Sequence, residues 1–173
     1  MASNFLIAIG CAPDGFTVVK SSDEKYTGNA KLGDLFMVKC GSSGEGASLG
    51  YYHAGVYCSE EEQEIIHFTF TSSQKNSSRS KASSKSCSGE GVVSKLNVNV
   101  FCGQSRFAIY RKIEGVPQSF KNDVRQAMMK TPQYNLSEYN CIHFALELLH
   151  VDTKTTEDYI KRILKIFNNK GTE

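Results

Sequence analysis

The chain has 173 residues, enough for one domain with a core of its own. Its hydrophobic content of 40% and charged content of 22% are those of an ordinary globular protein. A net charge of +2 argues against a nucleic-acid partner, and no apolar run reaches the roughly 18–20 residues of a membrane-spanning helix. The six cysteines, Cys11, Cys40, Cys58, Cys87, Cys102 and Cys141, contain no C-x-x-C pair, which argues against a zinc knuckle. The apolar run at 5–9 is short and has no basic flank, so no secretory leader is read there. Reduced thiols in a cytoplasmic setting are the expectation.

In chain order, residues 5–9 and 16–19 are short apolar runs around Pro13-Asp14-Gly15, which predicts a small hairpin in an N-terminal extension over 1–31. Residues 20–31 are polar and read as a connection. Gly33-Asp34 opens a strand at 35–38, and the glycine- and serine-rich residues 41–50 read as a mobile loop. Two strands follow at 53–57 and 64–70, joined by the acidic run 59–62. With that turn centred near Glu60, His53 is expected directly opposite His67, both imidazoles on one face roughly 5 Å apart at Cβ. A one-residue slip would separate them.

Residues 71–91 are dominated by serine with interspersed Lys and Arg and read as a flexible, exposed insertion. Residues 92–93, 96–101 and 107–110 read as strand. A helix is expected from Pro117 to about Lys130, ended by Thr131-Pro132. A last amphipathic helix is expected at 156–168, within a C-terminal segment 151–173. Ile160, Ile163, Leu164 and Phe167 line one face of it. It packs on its own domain in preference to a membrane surface, although peripheral membrane contact is compatible with its charge.

The chain is organised around Asn140-Cys141-Ile142-His143-Phe144. Cys141, Phe144, Ala145, Leu148 and Leu149 share one helical face, with Ser137 or Asn140 as N-cap. A thiol in the first turn sits near the positive end of the helix dipole, which favours the thiolate. The plain alternative is a small buried core residue.

Gly33-Asp34-Leu35, His53-Ala54-Gly55-Val56-Tyr57, Ile66-His67 and Asn140-Cys141-Ile142-His143-Phe144, in this order, resemble the motifs of the lecithin retinol acyltransferase-like family. The nearest branch is the H-rev107-like phospholipase and acyltransferase proteins, and the match covers roughly 32–150. The resemblance implies an α+β fold, a circularly permuted NlpC/P60 (papain-like) domain whose antiparallel sheet carries the histidines and packs against helices. Ala54 stands where the family has Trp, and Ile142 where it has Glu. The spanning segment found at the C-terminus of many relatives has no counterpart in residues 156–168.

The mechanism implied makes Cys141 the nucleophile, His53 its general base and His67 the group that orients His53. An imidazole suits the base because its reference pKa, roughly 6.5, is near neutrality. The donor would be a glycerophospholipid, the intermediate a thioester, and the acceptor water, an amine or an alcohol. The Cys141 amide is a candidate oxyanion donor, and His143 reads as structural. The chemistry calls for no metal or cofactor. Two other readings stand beside it, a non-catalytic interaction module that keeps both motifs, and a cysteine peptidase or amidase like other NlpC/P60 proteins.

Overall fold

The computed structural model describes residues 11–39, 52–70, 88–135 and 137–168. The described strands are β1 (Phe16–Lys20), β2 (Leu35–Lys39), β3 (Tyr52–Ser59), β4 (Glu64–Phe70), β5 (Ser88–Asn97), β6 (Phe107–Lys112) and β7 (Gln133–Asn135). The described helices are α1 (Val98–Cys102), α2 (Phe120–Met128), α3 (Cys141–Leu148) and α4 (Thr153–Asn168). The strands form one sheet in the order β1-β6-β2-β3-β4-β5-β7. Every pairing is antiparallel, so the fold is α+β.

Strand alternation sorts the core into two layers. Leu35, Met37, Ala54, Val56, Ile66 and Phe68 point to one face, where they pack with residues of α2, α3 and α4. Phe36, Val38, Tyr57 and Ile65 point to the other, where Val98, Phe101 and Cys102 of α1 cover them. Adjacent residues of β2 therefore serve different layers, which is why that strand reads as a continuous apolar run. Leu35 and Phe36 are both fully buried, each contributing about 1.5–3 kcal/mol of transfer free energy.

The Gly33-Asp34-Leu35 motif has a structural cause. Gly33 takes φ 83, a conformation that glycine reaches without strain. The fully buried Asp34 carboxylate receives Nε and Nη2 of Arg111 at 2.8 and 2.7 Å and the Lys31 amide at 2.9 Å. This bidentate pair ties the start of β2 to its neighbour β6.

Several sequence expectations change. Residues 88–91 of the expected insertion belong to β5, where Glu90 pairs with Gln133 of β7, a strand that the sequence reading did not include. Residues 71–87 and the loop 41–50 lie outside the described residues, as does the run 5–9. Phe16–Lys20 pairs with β6. The stretch 96–101 divides: β5 ends at Asn97, and Val98–Cys102 is helical. There the Asn97 side chain accepts the Asn99 amide at 3.0 Å, and Gly103 at φ 54 stops the helix. Val98, Phe101 and Cys102 form a buried i, i+3, i+4 stripe, and tertiary burial overrides the β propensity of the valines. Helix α2 starts at Phe120, three residues beyond Pro117, and α4 starts at Thr153 with Tyr159, Ile160 and Ile163 buried. No described helix is long and apolar enough to cross a membrane.

Candidate active site

The hairpin of β3 and β4 brings His53 and His67 together by a different register from the symmetric one. The turn over residues 60–63 carries Gln63 at φ 52, and the pairing shifts between Tyr57 and Ser59. Gly55, not His53, stands opposite His67. The offset is two residues, so both histidines stay on one face. They meet diagonally: His53 Nε2 lies 2.8 Å from His67 Nδ1, with ring centroids 5.0 Å apart at 84°. Gly55 also gives room to Phe101, since a Cβ there would stand 2.8 Å from its ring and 2.4 Å from Ile65. The Phe101 ring lies 5.3 Å from that of His53 and 5.4 Å from that of His67.

A third group completes the row. Ser94 of β5 pairs directly with His67, and its Oγ lies 2.9 Å from His67 Nε2. Ser94, His67 and His53 thus form a hydrogen-bonded chain across three adjacent strands. Burial pushes both imidazoles down, His67 to about 4 and His53, which also faces the His67 charge, to about 3. No carboxylate is among the causes. Both rings are neutral at physiological pH, with lone pairs able to accept a proton.

Cys141 opens α3, as expected. Asn140 caps it, its Oδ1 accepting the amides of Ile142 at 2.9 Å and His143 at 3.3 Å. His143 Nδ1 accepts the Asn140 amide at 3.1 Å in return, closing a capping box with histidine in the usual Glu/Gln place. The other ring nitrogen of His143 lies 2.9 Å from Glu157 on α4. His143 is therefore a structural bridge between the two helices.

The geometry separates the motifs. Cys141 is fully buried in the layer that holds Ala54, Val56 and Ile66. His53 pairs with Val38, which belongs to the opposite layer, and His67 contacts Phe101 there. The sheet lies between the imidazoles and the helix that carries the thiol. The two positions that depart from the family pattern, Ala54 and Ile142, are both fully buried in the Cys141 layer. A cavity of about 630 Å³ opens on that same side, lined by Val93, Ala127, Phe144 and Leu148 with Glu147 and His150 at its polar margin. Neither Cys141 nor the His53–His67 pair lines it. Among the described residues no cluster of His, Cys, Asp and Glu could hold a metal ion.

Ser94 is the member that sequence reasoning missed. Its signal is the register of β5 on β4, which the intervening insertion hides. No curated protein matches this sequence. The family model for lecithin retinol acyltransferase matches residues 29–153, and its chemistry is acyl transfer of the acyltransferase and phospholipase type, on lipid substrates. That match spans β2 to β7, both histidines and α3, and the chain belongs to the lecithin retinol acyltransferase family.

Proposed function

We propose that this chain transfers or hydrolyses ester-linked acyl groups of glycerophospholipids, passing the acyl group through a covalent acyl-enzyme to water, an amine or an alcohol. The observation that carries the reading is the neutral, hydrogen-bonded His53–His67 pair inside a domain of an acyl-transfer family. One imidazole orienting another is the arrangement that general-base activation of a nucleophile needs. Family motif and helix position support Cys141 as that nucleophile through a thioester. Its burial, and the sheet between it and the histidines, oppose that assignment.

The same separation favours a second reading, a non-catalytic interaction module that keeps the family's motifs. The peptidase or amidase reading draws no support from the site. The test is incubation of the full chain with phosphatidylcholine–Triton micelles, with and without a primary amine. Mass spectrometry follows fatty acid, lysolipid and N-acyl product. Turnover that falls in His67→Gln supports acyl chemistry. Absence of turnover in the wild-type chain on these and on diacylglycerol and short-chain esters would leave the non-catalytic reading.

A further inference from the structure

We propose that the cavity between α2 and α3 binds a single-chain zwitterionic phospholipid, its chain on the apolar lining and its headgroup between Lys130 and Glu147. Cys141, His53 and His67 take no part in this lining, so the site is separate from the family motifs. The inference goes beyond the acyl-transfer reading and does not rest on it.

Size decides the number of chains. The cavity holds about 630 Å³, within the roughly 300–1,000 Å³ of small-molecule sites. At about 30 Å³ per methylene, close to the volume share of a water, one chain of twelve to sixteen carbons fills about 360–480 Å³ and two fill about 720–960 Å³. One chain therefore leaves room for part of a headgroup, and two exceed the space. Val93, Phe144 and Leu148 are buried apolar members of the lining, and Ala127 extends it. Met128 and Met129, between the lining residues Ala127 and Lys130, are both exposed. Methionine adapts its shape to an apolar ligand.

Charge decides the headgroup. The lining carries two carboxylates, Asp123 and Glu147, and one Lys or Arg, Lys130. Asp123 is engaged already: its Oδ2 accepts Ser119 Oγ at 2.7 Å and lies 2.9 Å from His150 Nε2. His150 takes φ 58 just past the end of α3, where glycine is the unstrained residue. Its contact with Asp123 ties together the two helices that flank the cavity. Glu147 is exposed and accepts the Tyr139 hydroxyl, and a carboxylate has further acceptor sites for an ammonium. Tyr139 and Phe144 also line the cavity, and aromatic faces attract quaternary ammonium groups. Lys130 is exposed and supplies the cation for a phosphate. One anionic and one cationic side chain thus match a headgroup that carries both a phosphate and an ammonium.

The experiment titrates the full chain with lauroyl lysophosphatidylcholine, below its critical micelle concentration, by isothermal calorimetry. Dodecyl maltoside, dodecyltrimethylammonium and phosphocholine, each alone, separate the contributions of chain, cation and headgroup. The expected result is saturable one-site binding of the lysolipid, weakened about tenfold or more in Lys130→Glu and in Ala127→Trp, with each control about tenfold or more weaker than the lysolipid. No saturable binding, or binding that Lys130→Glu leaves unchanged, would overturn the assignment. Equal or tighter binding of dodecyltrimethylammonium would overturn the zwitterion in favour of a cationic amphiphile. Equal binding of the maltoside would overturn the headgroup contacts, and equal binding of phosphocholine would overturn the chain site. Lys130 is exposed, so its variant tests the site even where Ala127→Trp fails to fold. Binding is read without turnover, so its failure leaves the acyl-transfer reading untouched, and a chain that binds without turnover counts only against that reading.

Discussion

Acid should unfold this protein through the histidine pair, and the size of the effect follows from the structure. Burial holds His53 near 3 and His67 near 4 in the folded chain, against 6.5 for an unperturbed histidine. Both folded values lie below the unfolded one, so the unfolded chain binds more protons between about pH 4 and 6.5. Stability therefore rises with pH across that window and is lost as pH falls through it. With these values each histidine contributes almost nothing to the pH dependence at 7.5 and withdraws about 2 kcal/mol at pH 5.0. Together they remove about 4 kcal/mol, a large part of a typical stability of roughly 5–15 kcal/mol. The assay is urea unfolding followed by far-UV circular dichroism, since the chain has no Trp. At a urea dependence of about 2 kcal/mol/M, the midpoint should drop by roughly 2 M between pH 7.5 and 5.0. The double variant His53→Gln/His67→Gln retains His143 and His150, so their contributions cancel in the comparison. Its midpoint should change much less. A wild-type dependence as shallow as that of the double variant would refute the claim that the pair is held neutral by burial.

Other perturbations have equally definite signs. Asn140→Ala removes the acceptor of two first-turn amides and should cost about 1–2 kcal/mol in thermal or chemical unfolding. Asp34→Ala strands the Arg111 guanidinium and the Lys31 amide; because the Arg111 side chain is 34% exposed and regains water, a loss of about 3 kcal/mol is expected, the lower end for a broken buried pair. Gly55→Val places a branched side chain where Ile65 and Phe101 already sit, so it should destabilise by about 1–3 kcal/mol and shift the histidine ring resonances in an NMR spectrum. Alkylation of native Cys141, followed by peptide mass, should be slow at pH 7.5 because the residue is fully buried, and become fast in urea. Rapid labelling of the native chain would show that the thiol is open to substrate.

The sequence by itself determined the class of fold and most of its elements, because their signals are local. The alternation in residues 53–57 and 64–70 gives a hairpin, and the 3.6-residue period after Asn140 gives a capped helix with Cys141 in its first turn. The motif order gave the family, which the match over residues 29–153 shows. The expectation that His53 serves Cys141 as base rests on something local patterns do not carry, the face of the sheet on which each lies. Two adjacent strand residues, His53 and Ala54, look in opposite directions, and only packing decides which one meets α3. Ala54 does, since it shares the Cys141 layer. The same limit hid Ser94. Its partnership with His67 is fixed by the register of β5 on β4, set by backbone pairing between segments separated by the long insertion. Likewise, Val98–Cys102 carries a β-like sequence and becomes a helix because one stripe of it covers the far side of the sheet. Propensity and period are properties of neighbours along the chain. Face, register and the partner of a buried polar atom belong to the assembled sheet.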